Sequence, residues 1–476
     1  MKILFIYQVK EFPTFNKPLL NQMEIPLGIS YISSLLKKNG HETEGLVLQK
    51  IRNKELKKII KFKPELICFS AISSNYNKIR KISRIIKKYL PKTPHLIGGQ
   101  HVSMNCDTIL ENSEFDYLCI GEGEETTLEL VNNLTNKKNK KIKGLWVKNR
   151  NKIIKNPKRK FINKLDSLPL PDREMWKEYV YNYNSSPTVI IGRGCPYNCT
   201  YCSNKFFKKV GDGKFFRLRK VDSIINEIKR LKNKKTKKIR FELDTLDVST
   251  KYLERLCKEL NKLNKQSNFK LNYSANVRIN NNTNFKKFFS LLKIANFENI
   301  RIGVEQGSEE YRKRFLNRHE SNDKIIEATH YAKKNKLKVF IYLMFGLPDE
   351  NDSDLKKTIE LVKIIKPHDI YKNFFYPIKG TELYDYCKKN NYLKKRGVKE
   401  TINPSLNNQK INNYKIIKNY ILFEYYINNK KLNFKIIKGI INNMFVVITP
   451  FYLLKKEIKK IFWLLTNSKI KTDEFA

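Results

Sequence analysis

Three cysteines lie within a single short stretch of the chain, between Gly192 and Asn204: Cys195, Cys199 and Cys202. Glycines at 192 and 194 allow the backbone there to approach a bound group closely. Thiolate ligands suit zinc or an iron-sulfur cluster. Structural zinc takes four ligands, and the next cysteine and histidine along the chain are distant, at Cys257 and His319. Three cysteines on a four-iron cluster leave one iron open for a bound molecule, so the spacing favours such a cluster.

The spacing Cys-x3-Cys-x2-Cys, with Tyr201 directly before the last cysteine, resembles the signature of the radical S-adenosylmethionine (SAM) superfamily. The resemblance implies a [4Fe-4S] cluster held by the three cysteines, whose fourth iron binds the amino and carboxylate groups of SAM. An electron from a donor such as flavodoxin or ferredoxin then breaks a C–S bond of SAM and releases a 5'-deoxyadenosyl radical. Buried structural cysteines and a degenerate zinc loop are the alternatives.

Short motifs after the cysteine loop also resemble the SAM-binding segments of that superfamily. Glu305, in Ile302–Ser308, matches the acidic residue that meets the ribose or methionine part, and Gly346, in Phe345–Glu350, matches the turn against adenine. On the second strand the match leaves open whether Glu242 or Asp244 contacts the methionine ammonium. Asn276 and Arg278 are candidates for ribose or carboxylate contact, with a surface salt bridge as the alternative for Arg278. The expected SAM-binding residues are therefore Tyr201, Glu242, Asp244, Asn276, Arg278, Glu305 and Gly346.

The elements that must position these residues follow from the apolar pattern. From Thr188 onward, strand and helix alternate through six units, which predicts a partial (β/α)6 barrel of the TIM type with its site at the carboxyl ends of the strands. The predicted strands are 189–191, 238–243, 270–275, 299–304, 339–345 and 370–376. The first part of the chain also alternates strand and helix, which predicts a Rossmann-like, doubly wound parallel sheet.

Loops at the carboxyl ends of that first sheet resemble the cobalamin (B12)-binding domain found before the radical SAM core in one large subclass. Ser70 and Ile72 match its Ser-x-Leu motif, and Gly98 and Gly99 match its Gly-Gly motif. Its Asp-x-His-x-x-Gly motif would end at Gly28, but Met23 and Ile25 occupy the Asp and His positions, so the cobalt-ligating histidine is absent. The domain is expected to bind cobalamin without that ligand; lost binding, or a cap over the core, is the alternative. The expected contacts are Ser70, Ile72, Gly98, Gly99, Gly121 and Glu122.

The predicted organisation is a cobalamin-binding-like domain over 1–135, a linker over 136–180, a radical SAM core over 181–389 and a helical region over 390–476. In the last region Tyr414 to Asn428 is predicted to be helical. The near-apolar run Met444 to Leu454 is too short to span a bilayer. Lys455, Lys456, Lys459 and Lys460, beside Phe462 and Trp463, could lie on an anionic membrane surface, or the region could be a helical lid on the barrel.

Composition limits the choice of partner and compartment. The chain has 476 residues and eight cysteines, and its N-terminus does not resemble a signal peptide, which together predict a reducing, cytoplasmic setting. The formal net charge is +49. Because the excess is mostly lysine scattered along the whole chain, whereas arginine is the better reader of phosphate and bases, a nucleic-acid substrate is not expected.

These features predict a cobalamin-domain radical SAM enzyme that removes a hydrogen atom from an unactivated carbon. The resemblance implies methyl transfer from methylcobalamin to the substrate radical, with ring formation or rearrangement also known in the subclass. The expected substrate is a small molecule or a lipid-like molecule. An RNA-modifying enzyme of the methylthiotransferase type, or a non-catalytic protein on the same fold, is the alternative. The former would need a second three-cysteine site, for which Cys68, Cys106 and Cys119 are widely separated.

Overall fold

The computed structural model describes residues 1–9, 17–111, 114–136, 141–149, 152–232, 236–246, 248–394, 404–407, 411–429 and 431–447. These residues form two compact units. The first comprises Met1–Pro196 with Phe206–Glu242, and the second comprises Tyr197–Lys205 with the chain from Leu243 onward. The division differs from the predicted domain bounds, because it falls within the cysteine loop and within the six strand-helix repeats.

A seven-stranded sheet forms the centre of the first unit, in the order β3-β1-β4-β5-β6-β7-β8. The pairs among its first five strands are parallel, as predicted. Ile3 to Ile6 and Leu66 to Phe69 are entirely buried, the continuous apolar pattern typical of a parallel sheet covered on both faces. The elements are β1 (Lys2–Gln8), β2 (Leu19–Asn21), α1 (Leu27–Lys38), β3 (Glu42–Leu48), α2 (Asn53–Phe62), β4 (Leu66–Ser70), α3 (Tyr76–Tyr89), β5 (His95–Gly98), α4 (Gln100–Glu111), β6 (Tyr117–Cys119) and α5 (Glu124–Thr135).

The segment predicted as a linker contributes two strands to this sheet. β7 (Leu145–Asn149) pairs antiparallel with β6, and β8 (Lys152–Lys155) pairs antiparallel with β7. The hairpin of β7 and β8 therefore extends the sheet and does not belong to a separate linker. Leu145 is fully buried, since it packs into the core of the sheet.

The first unit continues with β9 (Val180–Asn182), β10 (Thr188–Ile190), β11 (Gly192–Arg193), α6 (Asn204–Phe207, at the division between the units), β12 (Arg217–Leu218), α7 (Val221–Leu231) and β13 (Lys238–Glu242). β10 and β13 pair in parallel, and β11 and β12 pair antiparallel. Strands β10 and β13 are the first two of the six that the sequence predicts for the barrel.

The other four predicted barrel strands pair in parallel in the second unit, in the order β14-β15-β16-β17. Its elements are α8 (Thr250–Lys265), β14 (Asn272–Val277), α9 (Phe285–Ile294), β15 (Phe297–Glu305), α10 (Glu309–Leu316), α11 (Asn322–Lys334), β16 (Lys338–Phe345), α12 (Asp352–Ile365), β17 (Asp369–Phe374), α13 (Glu382–Lys389), α14 (Asn413–Ile421), α15 (Phe423–Ile427) and α16 (Phe434–Val447). All six predicted strands are present, which confirms the α/β class.

The C-terminal helices pack on the last two strands of the second unit. Tyr420 stacks on Phe374 with ring centroids 4.5 Å apart, and both Tyr420 and Phe423 contact Phe345 edge-on. The predicted helix 414–428 is confirmed as α14 and α15. The lysines and aromatic residues expected on a membrane surface, from Lys455 to Trp463, lie outside the described residues. Among those described, no helix combines the length and apolarity needed to cross a membrane.

Candidate active site

A glycine shapes the start of the cysteine loop, and hydrogen bonds to helices α10 and α13 hold the part that follows its second cysteine. Gly194 has a φ of +81°, and a Cβ there would lie 2.5 Å from the carbonyl oxygen of Phe215, so a side chain cannot be accommodated. After Cys199, the Thr200 amide donates to the carbonyl of Leu316, at the end of α10. The Leu383 amide in α13 donates to the carbonyl of Thr200 at 3.1 Å. These backbone bonds fix the second half of the loop.

Cys199 is buried, and Cys195 and Cys202 are half-buried. None of the eight cysteines forms a disulfide. Across the part of the chain that the structure describes, no three His, Cys, Asp or Glu side chains already surround a common point. The chemistry of the donors nevertheless fits an iron-sulfur cluster, because three unoxidised thiols share one loop and a cation contacts one of them.

That cation is Arg278, which follows β14. Its Nη1 donates to the sulfur of Cys199 at 2.7 Å, and its guanidinium lies 3.9 Å from the ring centroid of Tyr197. Its Nη2 is 3.6 Å from Glu320, and its side chain is 11% exposed. The surface salt bridge considered from the sequence is therefore wrong for Arg278. A buried cation suits a sulfur that carries negative charge.

A second charged group surrounds Glu305 at the end of β15. The Tyr201 hydroxyl donates to Glu305 at 3.2 Å, and Arg318 donates to the same hydroxyl at 3.1 Å. Arg318 also donates to Glu320 at 2.6 Å. Burial raises the pKa of the Glu305 carboxyl, although the charge of Arg318 acts in the opposite direction. Tyr201, Glu305 and Arg278 are therefore joined in one network through Arg318 and Glu320.

Arg318 and Glu320 were missed by the sequence analysis. Their side chains are 4% and 2% exposed, and they join the Glu305 group to Arg278. The available signal was an arginine and a glutamate two residues apart after a helix. That pattern is also common on surfaces, so it could not identify a buried pair.

The remaining expected SAM residues lie in different surroundings. Asn276 on β14 has a buried Oδ1 without a hydrogen-bond partner among the described residues. A hydrogen-bond donor on a bound ligand would satisfy this oxygen. Asp244 is exposed and accepts a hydrogen bond from Asn204. Glu242 lies in the first unit, 44% exposed and 3.3 Å from Arg240. The Gly346 amide donates to Glu350 at 3.2 Å. A Cβ on Gly346 would lie 3.4 Å from Ile416 in α14.

The first unit contains a cavity of about 250 Å³ at the carboxyl ends of β4, β5 and β6. Five of the six expected cobalamin contacts line it: Ser70, Gly98, Gly99, Gly121 and Glu122. Gly28 lines it as well. Ile72 is not among the lining residues and is 48% exposed. Gly99 has a φ of +98°, and a Cβ there would lie 2.6 Å from the Ala71 carbonyl. The close approach of its loop to Ala71 therefore requires glycine at position 99.

Glu122 differs from the expectation, because its carboxylate is already bound by protein. Both oxygens accept hydrogen bonds from Arg217, at 2.9 and 3.0 Å, while Arg193 and the Ile162 amide each donate to one of them. Burial alone would raise the pKa of Glu122, but Arg217 and Arg193 hold it below its usual value. Glu122 lines the cavity as a charge paired with two arginines.

Apolar residues occupy the two positions where the cobalamin-binding motif carries Asp and His. Met23 lies in a short 3-10 turn and Ile25 is buried, so neither position offers an imidazole. The His101 ring lies 4.4 Å from the ring of Tyr76 and is hydrogen-bonded with Ser73 at 3.0 Å. His319 and His330 are exposed.

Two family descriptions match the chain. The radical SAM superfamily matches residues 189–362, and the B12 binding domain matches residues 20–131. The chain belongs to the radical SAM superfamily and carries a B12-binding domain. This radical SAM protein is therefore an enzyme of the cobalamin-dependent class, whose cofactors are a [4Fe-4S] cluster, SAM and cobalamin.

Similar proteins agree with this assignment. An uncharacterised methyltransferase of Pyrococcus horikoshii is 27% identical over 402 residues, covering 83% of this radical SAM protein and 84% of the relative. The hopanoid C-3 methylase of Methylococcus capsulatus is 23% identical over 332 residues, which are 67% of this chain and 60% of that one.

Solved structures show the same fold. The radical SAM methyltransferase TsrM from Kitasatospora setae has a TM-score of 0.66 at 13% identity, covering 83% of this chain and 76% of TsrM. The cobalamin-dependent radical SAM enzyme OxsB has a TM-score of 0.70 at 15% identity, covering 98% of this chain and 73% of OxsB.

Proposed function

We propose that this protein is a cobalamin-dependent radical SAM methylase that adds a methyl group to an unactivated carbon. The observation that carries the proposal is the cavity at the ends of β4 to β6, which Ser70, Gly98, Gly99 and Gly121 line. Its presence on the same chain as the three-cysteine loop supports the use of both cofactors in one reaction. Bound cobalamin supplies a methyl group that a carbon radical can accept.

The residues divide the work as follows. Cys195, Cys199 and Cys202 hold the cluster, and Arg278 maintains a positive charge at the sulfur of Cys199. Glu305, oriented by Tyr201 and Arg318, and Asn276, with its unpartnered Oδ1, are assigned to SAM. Asp244 and Glu242 are the alternatives for its ammonium group, and Gly346 is assigned to the adenine. Ser70, Gly98, Gly99 and Gly121 surround cobalamin, with Ile72 outside the cavity lining.

The proposed substrate is a small molecule or a lipid-like molecule, and the proposed electron donor is a flavodoxin or ferredoxin. Relatives named for both kinds of substrate support this range: the hopanoid C-3 methylase and a cytidylyl-2-hydroxyethylphosphonate methyltransferase of Streptomyces wedmorensis. A cytoplasmic location, with contact to the membrane surface through the C-terminal region, belongs to the same proposal.

Ring formation is the second candidate reaction. It is favoured by the match to the anaerobic magnesium-protoporphyrin IX monomethyl ester cyclase of Rubrivivax gelatinosus, 22% identical over 369 residues. An RNA-modifying role has less support. The three cysteines that a second cluster would need lie on three different elements, Cys68 on β4, Cys106 on α4 and Cys119 on β6, rather than in one loop.

The test uses the protein reconstituted with iron, sulfide and cobalamin under anaerobic conditions, with SAM and a reductant. S-adenosylhomocysteine and 5'-deoxyadenosine are both measured. Methylation predicts both products, because one SAM donates its methyl group and another yields the radical. Formation of 5'-deoxyadenosine alone would contradict methylation and favour ring formation or rearrangement. The Cys202→Ala variant should yield no 5'-deoxyadenosine.

A further inference from the structure

A buried set of ion pairs holds the strand that leads into the cysteine loop. Arg173 donates to the carbonyl of Thr188 on β10, and Arg219 donates to the carbonyl of Ile190 at 2.8 Å. Both arginines also pair with Glu227, at 2.9 and 2.5 Å. The side chain of Glu227 is 2% exposed, so water does not solvate its charge. Because a buried charge must keep its ion-pair partners, these pairs fix this part of the strand.

Arg193 extends the same arrangement to the cavity. It lies on β11, two residues before Cys195, and its guanidinium is 3.0 Å from Glu122 and 2.5 Å from Glu124. It also lies 5.3 Å from the ring centroid of Tyr31. All four of these residues line the cavity assigned to cobalamin. Arg193 is therefore part of the cavity wall and part of the approach to the cysteine loop at once.

The partner strand strengthens this connection. Arg217, on β12 and paired in register with Arg193, donates to both oxygens of Glu122. Two arginines thus face two glutamates, Glu122 in the loop after β6 and Glu124 at the start of α5. Because removing one member of a buried pair leaves the other charge unpaired, this loop and the β11–β12 pair are strongly favoured in one mutual arrangement.

We propose that Arg193 is a positioning residue that couples cobalamin binding to the cysteine loop through Glu122 and Glu124. Cobalamin in the cavity holds the loop after β6, this loop holds Arg193, and Arg193 holds the backbone entering Cys195. The inference rests on the proposed function, since it requires both cofactors. Coupling between binding sites is reciprocal, so a bound cluster must strengthen cobalamin binding by the same factor.

The experiment measures hydroxocobalamin affinity by equilibrium dialysis for the full chain with and without its reconstituted cluster. We expect the cluster to tighten binding by about 5-fold or more in the wild type, and to have no effect in Arg193→Gln. In parallel, the rate at which a chelator removes iron should fall when cobalamin is added to the wild type, but not to Arg193→Gln. Neither measurement depends on turnover.

Arg159→Gln is the matched control. Arg159 pairs with Glu125 and Glu129 on the same helix as Glu124, but its partners are half-exposed, and its other hydrogen bonds among the described residues go to Thr126 and Lys143 rather than to β11. This variant should keep the wild-type coupling. Glu124→Gln, which leaves the pairs of Glu122 intact, should reduce the coupling partially and provides a milder variant if Arg193→Gln folds poorly.

Equal cobalamin affinity with and without the cluster in the wild type would overturn the inference and leave the proposed function intact. Full coupling in Arg193→Gln would also overturn it. Failure of the wild type to bind cobalamin at all would instead contradict the proposed function.

Discussion

At the scale of single residues, Arg278 contacts the buried cluster cysteine. We predict that Arg278→Ala lowers SAM cleavage by about 10- to 100-fold, as for other groups that hydrogen-bond to metal ligands. Arg278→Lys should recover only part of the loss, because lysine cannot stack on Tyr197 and donate to Cys199 with the same planar group. The measurement is 5'-deoxyadenosine formation at matched iron content. Arg314→Ala, on the exposed side of α10, is the control and should retain wild-type cleavage.

The sequence motifs identified several residues of the site, but they did not identify the side chains with which those residues pair. Glu305, Tyr201 and Arg278 were all expected near SAM, and the structure joins them in one buried network. Arg318 and Glu320 could not be anticipated, because their role depends on Tyr201 and Arg278, which are distant along the chain. The paired state of Glu122 was missed for the same reason, since Arg193 and Arg217 reach it only after folding.

At the scale of elements, the turn after β16 contains a titrating group. Burial raises the pKa of Glu350 from 4.5 to about 7, despite hydrogen bonds from Gln306 and the Gly346 amide. The folded state therefore retains a proton that the unfolded chain has released, so its contribution is full below pH 4.5 and is lost as pH rises through 7. Relative to Glu350→Gln, the wild type should lose on the order of 3 kcal/mol of unfolding free energy over this interval. Thermal unfolding at pH 5, 6, 7 and 8 measures this difference, and a gap independent of pH would refute it.

The packing of α14 and α15 on β17 depends on a buried lysine. Lys372 is 4% exposed, and it pairs with Glu424 at 2.7 Å and donates to the Tyr420 carbonyl. Removing its counter-charge with Glu424→Gln should cost about 1–3 kcal/mol of stability. Because the loss comes from an unpaired buried charge, the double variant Lys372→Met with Glu424→Leu should recover most of it. Chemical denaturation monitors both, and equal destabilisation of the single and double variants would exclude this explanation.

Elements with strong periodicity were predictable and those defined by context were not. The strands predicted at 299–304, 339–345 and 370–376 closely match β15, β16 and β17. The hairpin of β7 and β8 was assigned to a linker because a segment rich in lysine and asparagine is typical of an exposed linker. A strand at the edge of a sheet can carry such residues on its exposed face.

At the scale of the whole molecule, the net charge of +49 must attract polyanions without selecting among them. We predict that RNA, DNA and heparin bind with similar affinity at about 50 mM salt and lose about a thousandfold or more by about 200 mM. Fluorescence anisotropy across this range tests the prediction. An RNA that retains tight binding at the higher salt concentration would support the RNA-modifying alternative.

We expect this one chain to bind both a cluster and cobalamin, without a cobalt-ligating histidine. Metal analysis of the anaerobically reconstituted protein tests it most directly, combined with SAM cleavage. The expected result is about four irons and about one cobalt per chain, with cleavage abolished in Cys199→Ala. Four irons with active cleavage and no cobalt would contradict it, because the first unit would then be a cap and the methylase proposal would fail.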